Sequence, residues 1–166
     1  MKNQLVSVRN GDMAAFEALY EEMNRPLFTI ILRITRDTAL SEDILQELFL
    51  KLYLSPPKPS TNPRAYLCQM ARNLAIDSVR RQKPQVDWEQ AEEMSCHLSD
   101  DFSQILDIED AMQSLPQRES QIVTLRINGG LKFREIAAAM EIPLGTVLWA
   151  YQKAIEQLRI ILGGSL

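Results

Sequence analysis

The segment Ser41-Glu42-Asp43-Ile44-Leu45-Gln46-Glu47-Leu48-Phe49-Leu50-Lys51-Leu52-Tyr53 constrains the fold more than any other part of the chain. Leu45, Leu48, Phe49 and Leu52 recur at i, i+3, i+4 and i+7, the period of one face of an α-helix, and that face needs other elements to cover it. Asp43, Gln46, Glu47 and Leu50 repeat the spacing on a neighbouring stripe. An acidic, amide-bearing face with one leucine in it suits a basic protein surface. Towards the other end, Glu135-Ile136-Ala137 followed by Gly145-Thr146-Val147 has the pattern of a helix-turn-helix, in which one short helix enters a DNA groove and another holds it there.

Caps and breakers divide the rest. Asp12 is a suitable N-cap for a helix to about Asn24, and Pro26 suits the first turn of a second helix ending near Thr35. Ser41 is the expected cap of the third, with Glu42 and Asp43 in its first turn, where the dipole favours negative charge. Three prolines in Ser55-Pro56-Pro57-Lys58-Pro59-Ser60-Thr61 demand a loop. Asn62-Pro63 opens a helix that runs to about Gln82, before Pro84. Residues 84–104 have no sustained helical period and carry six acids, the composition of a flexible linker, with Trp88 and Phe102 as docking aromatics. Helices follow over about 105–114, 117–128 (ended by Gly129-Gly130), 133–140 and 145–162. No strand pattern occurs. The expected fold is all-α: two small helical domains, residues 1–83 and 105–166, joined by an acidic linker, residues 84–104.

The net charge of −4 looks wrong for a DNA binder until it is divided: +3 over residues 1–83, −6 over 84–104 and −1 over 105–166. Duplex affinity rests mainly on Lys and Arg neutralising phosphates, so such a chain binds free DNA poorly and relies on another protein for charge. No stretch approaches a membrane span, and the N-terminal residues lack the apolar region of a signal peptide, which points to the cytoplasm. Cys68 and Cys96 make no disulfide framework, and with His97 alone they cannot complete a zinc site. Nothing forms a nucleophile–base pair, a phosphate-binding glycine loop or a metal carboxylate cluster, so neither a cofactor nor an enzyme is expected.

Several short matches occur in a fixed order. They are Gly11-Asp12, Ala15-Phe16 and Leu19-Tyr20, then Glu42-Asp43 through Tyr53, then Ala65-Tyr66-Leu67, Ala71-Arg72-Asn73-Leu74-Ala75-Ile76-Asp77 and Arg80-Arg81. The rear half adds Leu115-Pro116, Arg118-Glu119, Gly129, Glu135-Ile136-Ala137 and Gly145-Thr146-Val147. In this order and spacing the chain resembles the extracytoplasmic-function (ECF) sigma factors of bacterial RNA polymerase. The resemblance implies a region 2-like helical bundle and a region 4-like helix-turn-helix domain. It also implies an alternative sigma factor with core RNA polymerase, promoter DNA and an anti-sigma factor as partners.

It further implies roles for particular residues. Asp43, Gln46, Glu47 and Leu50 match the face that docks on a coiled coil of the largest polymerase subunit. On the helix from Pro63, the expected buried stripe is Leu67, Met70, Ala71 and Leu74, with Asn73, Asp77, Arg80 and Arg81 opposite. From the residues alone that basic face also suits simple solvation with an Asp77–Arg81 pair; the resemblance instead makes Arg72, Asn73, Arg80 and Arg81 hold the minus-ten strand. Tyr66 and the proline-rich loop are then candidates for a pocket that receives a flipped base.

The rear domain departs from the family pattern. Leu148, Trp149 and Ala150 stand where basic residues and a serine usually follow Thr-Val, and Lys132 and Pro143 replace the usual helix caps. Arg134, Thr146, Gln152 and Lys153 remain as candidates for the minus-thirty-five element. Val147, Ala150, Ala154, Leu158 and Ile161 follow the core period of the last helix. Leu148 and Trp149 are open to three readings: a larger core, contact with thymine methyls and sugars, or a protein-docking patch. These departures motivate a rival function, a sigma-like mimic that occupies an anti-sigma factor or polymerase without reading promoters. A second rival, an independent helix-turn-helix repressor, predicts tight polymerase-free duplex binding and conflicts with the charge distribution.

Overall fold

A single helix, α2 (Met13–Thr35), runs where two were expected. Leu19, Met23, Leu27, Ile30, Ile31 and Ile34 are all buried along it, so the apolar stripe continues past Pro26 without a break. An interior proline costs ~3 kcal/mol, whereas burying each of six large apolar side chains contributes roughly 1.5–3 kcal/mol. The stripe overrides the breaker. Asp12 caps α2 as expected, its Oδ1 accepting from the Ala15 N–H at 3.1 Å. Ahead of it lies a helix that the sequence reading did not anticipate, α1 (Lys2–Arg9), which buries Leu5 and Val8.

This is a computed structural model, and it describes residues 2–57, 62–82 and 103–163. The linker reading for residues 84–102, the roles given to Trp88, Cys96, His97 and Phe102, and the tip of the proline-rich loop therefore lie outside the described residues. Among those described there is no strand, and no helix is long and apolar enough to cross a membrane.

The third helix, α3 (Thr38–Leu54), begins before Ser41 and is capped by Asp37, whose Oδ1 accepts from the Leu40 N–H at 2.9 Å. Ser41 is inside the helix and buried; its hydroxyl donates to the Asp37 carbonyl and lies 2.7 Å from Thr35 Oγ1. An aspartate in extended conformation one turn upstream outcompetes the serine, because its carboxylate also meets the helix dipole. Asp37→Ala is accordingly expected to cost about 1 kcal/mol, read as a lower urea midpoint at unchanged slope.

Helix α4 (Pro63–Gln82) starts where the sequence placed it, with Asn62 Oδ1 accepting from the Ala65 N–H at 3.1 Å. Its buried stripe is Leu67, Cys68, Ala71, Ala75 and Ser78, while Met70 and Leu74 are only half-buried. The stripe is rotated towards the flank that faces the rear half.

That rear half comprises α5 (Ser103–Gln113), α6 (Gln117–Ile127), α7 (Phe133–Met140) and α8 (Leu144–Ile161). Gly130, at φ +65°, adopts the left-handed conformation that closes α6, and the Leu131 N–H returns to the Leu125 carbonyl at 3.1 Å. The expected loss of caps is half true. Lysine has no acceptor, so Lys132 cannot cap α7, but Glu135 Oε2 accepts from the Lys132 N–H at 2.8 Å and supplies the reciprocal half of a capping box. Pro143 precedes α8 with no side-chain cap. Val147, Ala150, Ala154 and Leu158 are buried as expected; Ile161 is not, since α8 ends there and Leu162 packs in its place.

The two halves meet directly. Helix α2 contacts α4, α3 and α6, and α4 contacts α7. One apolar cluster joins the front residues to Ile122, Leu125, Leu131, Ile136, Met140, Val147 and Ala150, while a smaller one, around Met112, Leu115 and Leu158, secures α5 to α8.

Candidate functional site

Three surfaces carry the candidate residues. On α3, Leu45, Leu48, Phe49 and Leu52 face the core, which turns Asp43, Gln46 and Leu50 into solvent and leaves Glu47 half-buried. Glu47 forms an i,i+4 ion pair with Lys51. Leu50 is 58% exposed, and Tyr53 and Leu54 continue the apolar patch beside the acids. Phe16, Tyr20, Phe49 and Tyr53 stack edge-on or tilted, with centroids 4.6 to 6.2 Å apart, and fix this end of α3 against α2. The ridge faces solvent, and among the described residues no element covers it.

On α4, Asn73, Arg80 and Arg81 are exposed. Arg81 is aligned along its own helix, its Nη2 donating to Ser78 Oγ at 3.1 Å. Arg72, which the resemblance groups with these residues, is half-buried instead. Its Nε donates to Gln121 Oε1 of α6 at 3.2 Å, and burial draws the guanidinium below its usual pKa, against the opposing charge of Glu141 and with a further push from Arg80. The rear half packs against that flank, which periodicity within one helix cannot reveal. Arg64 is half-buried too, with its Nε enclosed and unpartnered. Tyr66 is half-buried and packs against the main cluster.

On the helix-turn-helix, Arg134 and Gln152 are exposed and Thr146 is half-buried at the start of α8. Lys153 has a partner already: its Nζ is 3.0 Å from Glu119 Oε1 and 5.1 Å from the Trp149 ring centroid. Glu119 is itself buried, 5% exposed, so this lysine neutralises an interior carboxylate. Leu148 is 39% and Trp149 61% exposed, which removes the larger-core reading of that pair. Arg126 organises the turn below, its Nη1 donating to the Leu131 carbonyl at 2.9 Å and its guanidinium lying 4.9 Å from the Phe133 ring centroid.

Sequence reasoning missed Glu119 and Gln121, polar residues buried on α6. Their burial depends on α4 and α8, so no local period signals it.

Comparison with known proteins matches residues 19–85 to Sigma-70 region 2 and residues 105–158 to Sigma-70 region 4. The chain is similar to the ECF RNA polymerase sigma factor SigW of Bacillus subtilis (strain 168), 26% identical over 96% of this chain and 95% of the relative. It is also similar to SigK of Mycobacterium tuberculosis (strain H37Rv), 23% identical over 92% of this chain and 88% of the relative. Among solved structures, CnrH in complex with the cytosolic domain of CnrY superposes with a TM-score of 0.70 at 15% identity, over 99% of this chain and 98% of that one. RpoE in complex with the anti-sigma factor NepR, from Bartonella quintana, gives 0.67 at 15% identity over 90% and 99%. With regions 2 and 4 in order on an all-α frame, the chain belongs to the sigma-70 family, in its extracytoplasmic-function group, as an alternative sigma factor that directs promoter recognition and transcription initiation.

Proposed function

We propose that the α3 ridge of Asp43, Gln46, Glu47 and Leu50 is the surface by which this chain binds core RNA polymerase. Leu50 carries the reading: a large apolar side chain 58% exposed among carboxylates and an amide has no use in folding, but fits the centre of a protein contact with a charged rim. Arg72, Asn73, Arg80 and Arg81 of α4, with Tyr66, serve the minus-ten element, and Arg134, Thr146 and Gln152 the minus-thirty-five element, with Lys153 contributing through its methylene stem. Bond formation belongs to the polymerase, so the chain itself has no active site, and it works in the cytoplasm. An anti-sigma factor is a further partner, as NepR is for RpoE.

The mimic remains the second reading because Lys153 is committed to Glu119 while Leu148 and Trp149 present an apolar face where promoter contacts belong. Run-off transcription with purified core polymerase and a library of promoter fragments decides between them. Initiation from any fragment is the expected result and excludes a pure mimic; core binding without initiation anywhere on the library supports it.

A further inference from the structure

On α8 the solvent-facing positions are Gly145, Leu148, Trp149, Gln152 and Glu156, at i, i+3, i+4, i+7 and i+11. A major groove about 12 Å wide admits such a helix, and its N-terminal residues are the ones that reach base edges. Two of those four are large and apolar, Leu148 at 39% and Trp149 at 61% exposure. Gly145 begins the stripe. A Cβ there would meet nothing within 4 Å, so the fold itself does not call for glycine, which weakens a helix; a residue this small lets a second surface approach the backbone. The indole is also held. Lys153 Nζ lies 5.1 Å from the Trp149 ring centroid and 3.0 Å from Oε1 of Glu119, a carboxylate buried on α6. An ammonium anchored by an interior charge is thus fixed over the face of a ring that has no packing need to be ordered.

We propose that Leu148 and Trp149 determine which upstream element this chain accepts, by reading the C5-methyl groups of thymines, and that Glu119 is a positioning residue that holds the Trp149 ring for this contact through Lys153. The inference rests on reading α8 as the minus-thirty-five surface. Leucine offers no hydrogen bond, and the thymine methyl is the one apolar group that a base pair presents in the major groove. Gln152, one turn after Leu148, adds an amide of the kind that pairs with adenine N6 and N7, so the whole face suits A·T pairs. The surroundings fit DNA better than a protein. Two side chains supply a small part of the roughly 800 Å² per partner that a stable protein interface buries. The exposed cations Lys132 and Arg134 flank Phe133, whose ring lies 5.0 Å from that of Tyr151 on α8, which puts phosphate-binding groups beside the helix. Among the exposed acids nearby, Glu141 precedes α8 and Glu156 lies about two turns beyond Trp149, both outside the stretch from Gly145 to Gln152.

The test uses holoenzyme assembled from core polymerase and the full chain. Promoter fragments are first selected from a library randomised across the upstream element, and each thymine of the selected element is then replaced by deoxyuridine, which removes the methyl and keeps the pairing. The selected elements are expected to be rich in A·T pairs, and each contacted methyl to be worth about three- to fivefold in binding. Trp149→Ala and Leu148→Ala are each expected to bring the thymine-to-deoxyuridine ratio to one at a single position, a readout from which changes in folding or core affinity cancel. Glu119→Gln, which keeps the volume and removes the charge, and Lys153→Gln are expected to lower the ratio at the Trp149 position and leave that at the Leu148 position. Lys153→Arg, which keeps the ion pair and the cation over the ring, is expected to retain both. A ratio of one at every thymine in the unvaried holoenzyme overturns the methyl reading, as does a selection that enriches no upstream bases. Loss of core association in Trp149→Ala, with the ratios unchanged, makes the pair a protein contact and overturns it too. Unchanged ratios in both Glu119→Gln and Lys153→Gln remove the positioning role. Arg134→Ala with Gln152→Ala separates the two levels: weaker upstream binding there without any deoxyuridine effect sinks the methyl reading alone, whereas unaltered upstream binding sinks the assignment of α8 to the minus-thirty-five element.

Discussion

Glu47→Lys is expected to abolish stable association with core RNA polymerase while leaving the helical content unchanged. Reversing a charge at the edge of the ridge replaces an attraction to a basic surface with a repulsion, worth roughly 2–5 kcal/mol for a desolvated contact, or about thirtyfold to several thousandfold in affinity. The fold loses little by comparison. Among the described residues Glu47 pairs with Lys51 on the same helix, a half-exposed i,i+4 pair of a kind that contributes about 0.3–0.5 kcal/mol. Binding is measured by titrating labelled core polymerase, with circular dichroism as the control on folding. Unaltered core affinity in this variant removes the α3 ridge from the polymerase interface.

Arg80→Ala combined with Arg81→Ala is the second large effect. Both side chains are exposed on the last turn of α4. Their removal subtracts two cationic contacts from a strand that binds through its phosphates. Each such contact adds about 0.7 to the logarithmic salt slope on single strands, so the slope is expected to fall by roughly 1.4, with open-complex formation down about 10- to 100-fold near 150 mM salt. Core binding is expected to stay within twofold. Promoter melting with an unaltered salt dependence would show that this face is merely solvated.

The helices were legible where one face met one core. Leu45, Leu48, Phe49 and Leu52 are buried as their spacing requires, and Asn62-Pro63 opens α4 as its capping chemistry requires. What failed depends on competition or on distance. Pro26 is a strong local signal that six buried side chains override, and Asp37 and Ser41 are both able caps whose ranking follows from the chain's entry geometry. Arg72 was grouped with the strand-holding residues by the resemblance, not by its period, and the surface covering it comes from a residue 49 positions away, which no repeat within α4 records. The same holds for Glu119, whose burial pairs Lys153, a candidate DNA contact, with an interior carboxylate. Leu148 and Trp149 were open to three readings in the sequence, and their exposure removes the larger-core one.

The exposure of the α3 ridge has a kinetic consequence. A ligand that binds only a minor conformer has its apparent affinity scaled down by the fraction present, and its observed rate levels off at the opening rate. With the α3 ridge as the proposed docking surface, already exposed on the folded chain, polymerase association is expected to be a plain second-order step whose rate climbs linearly with concentration.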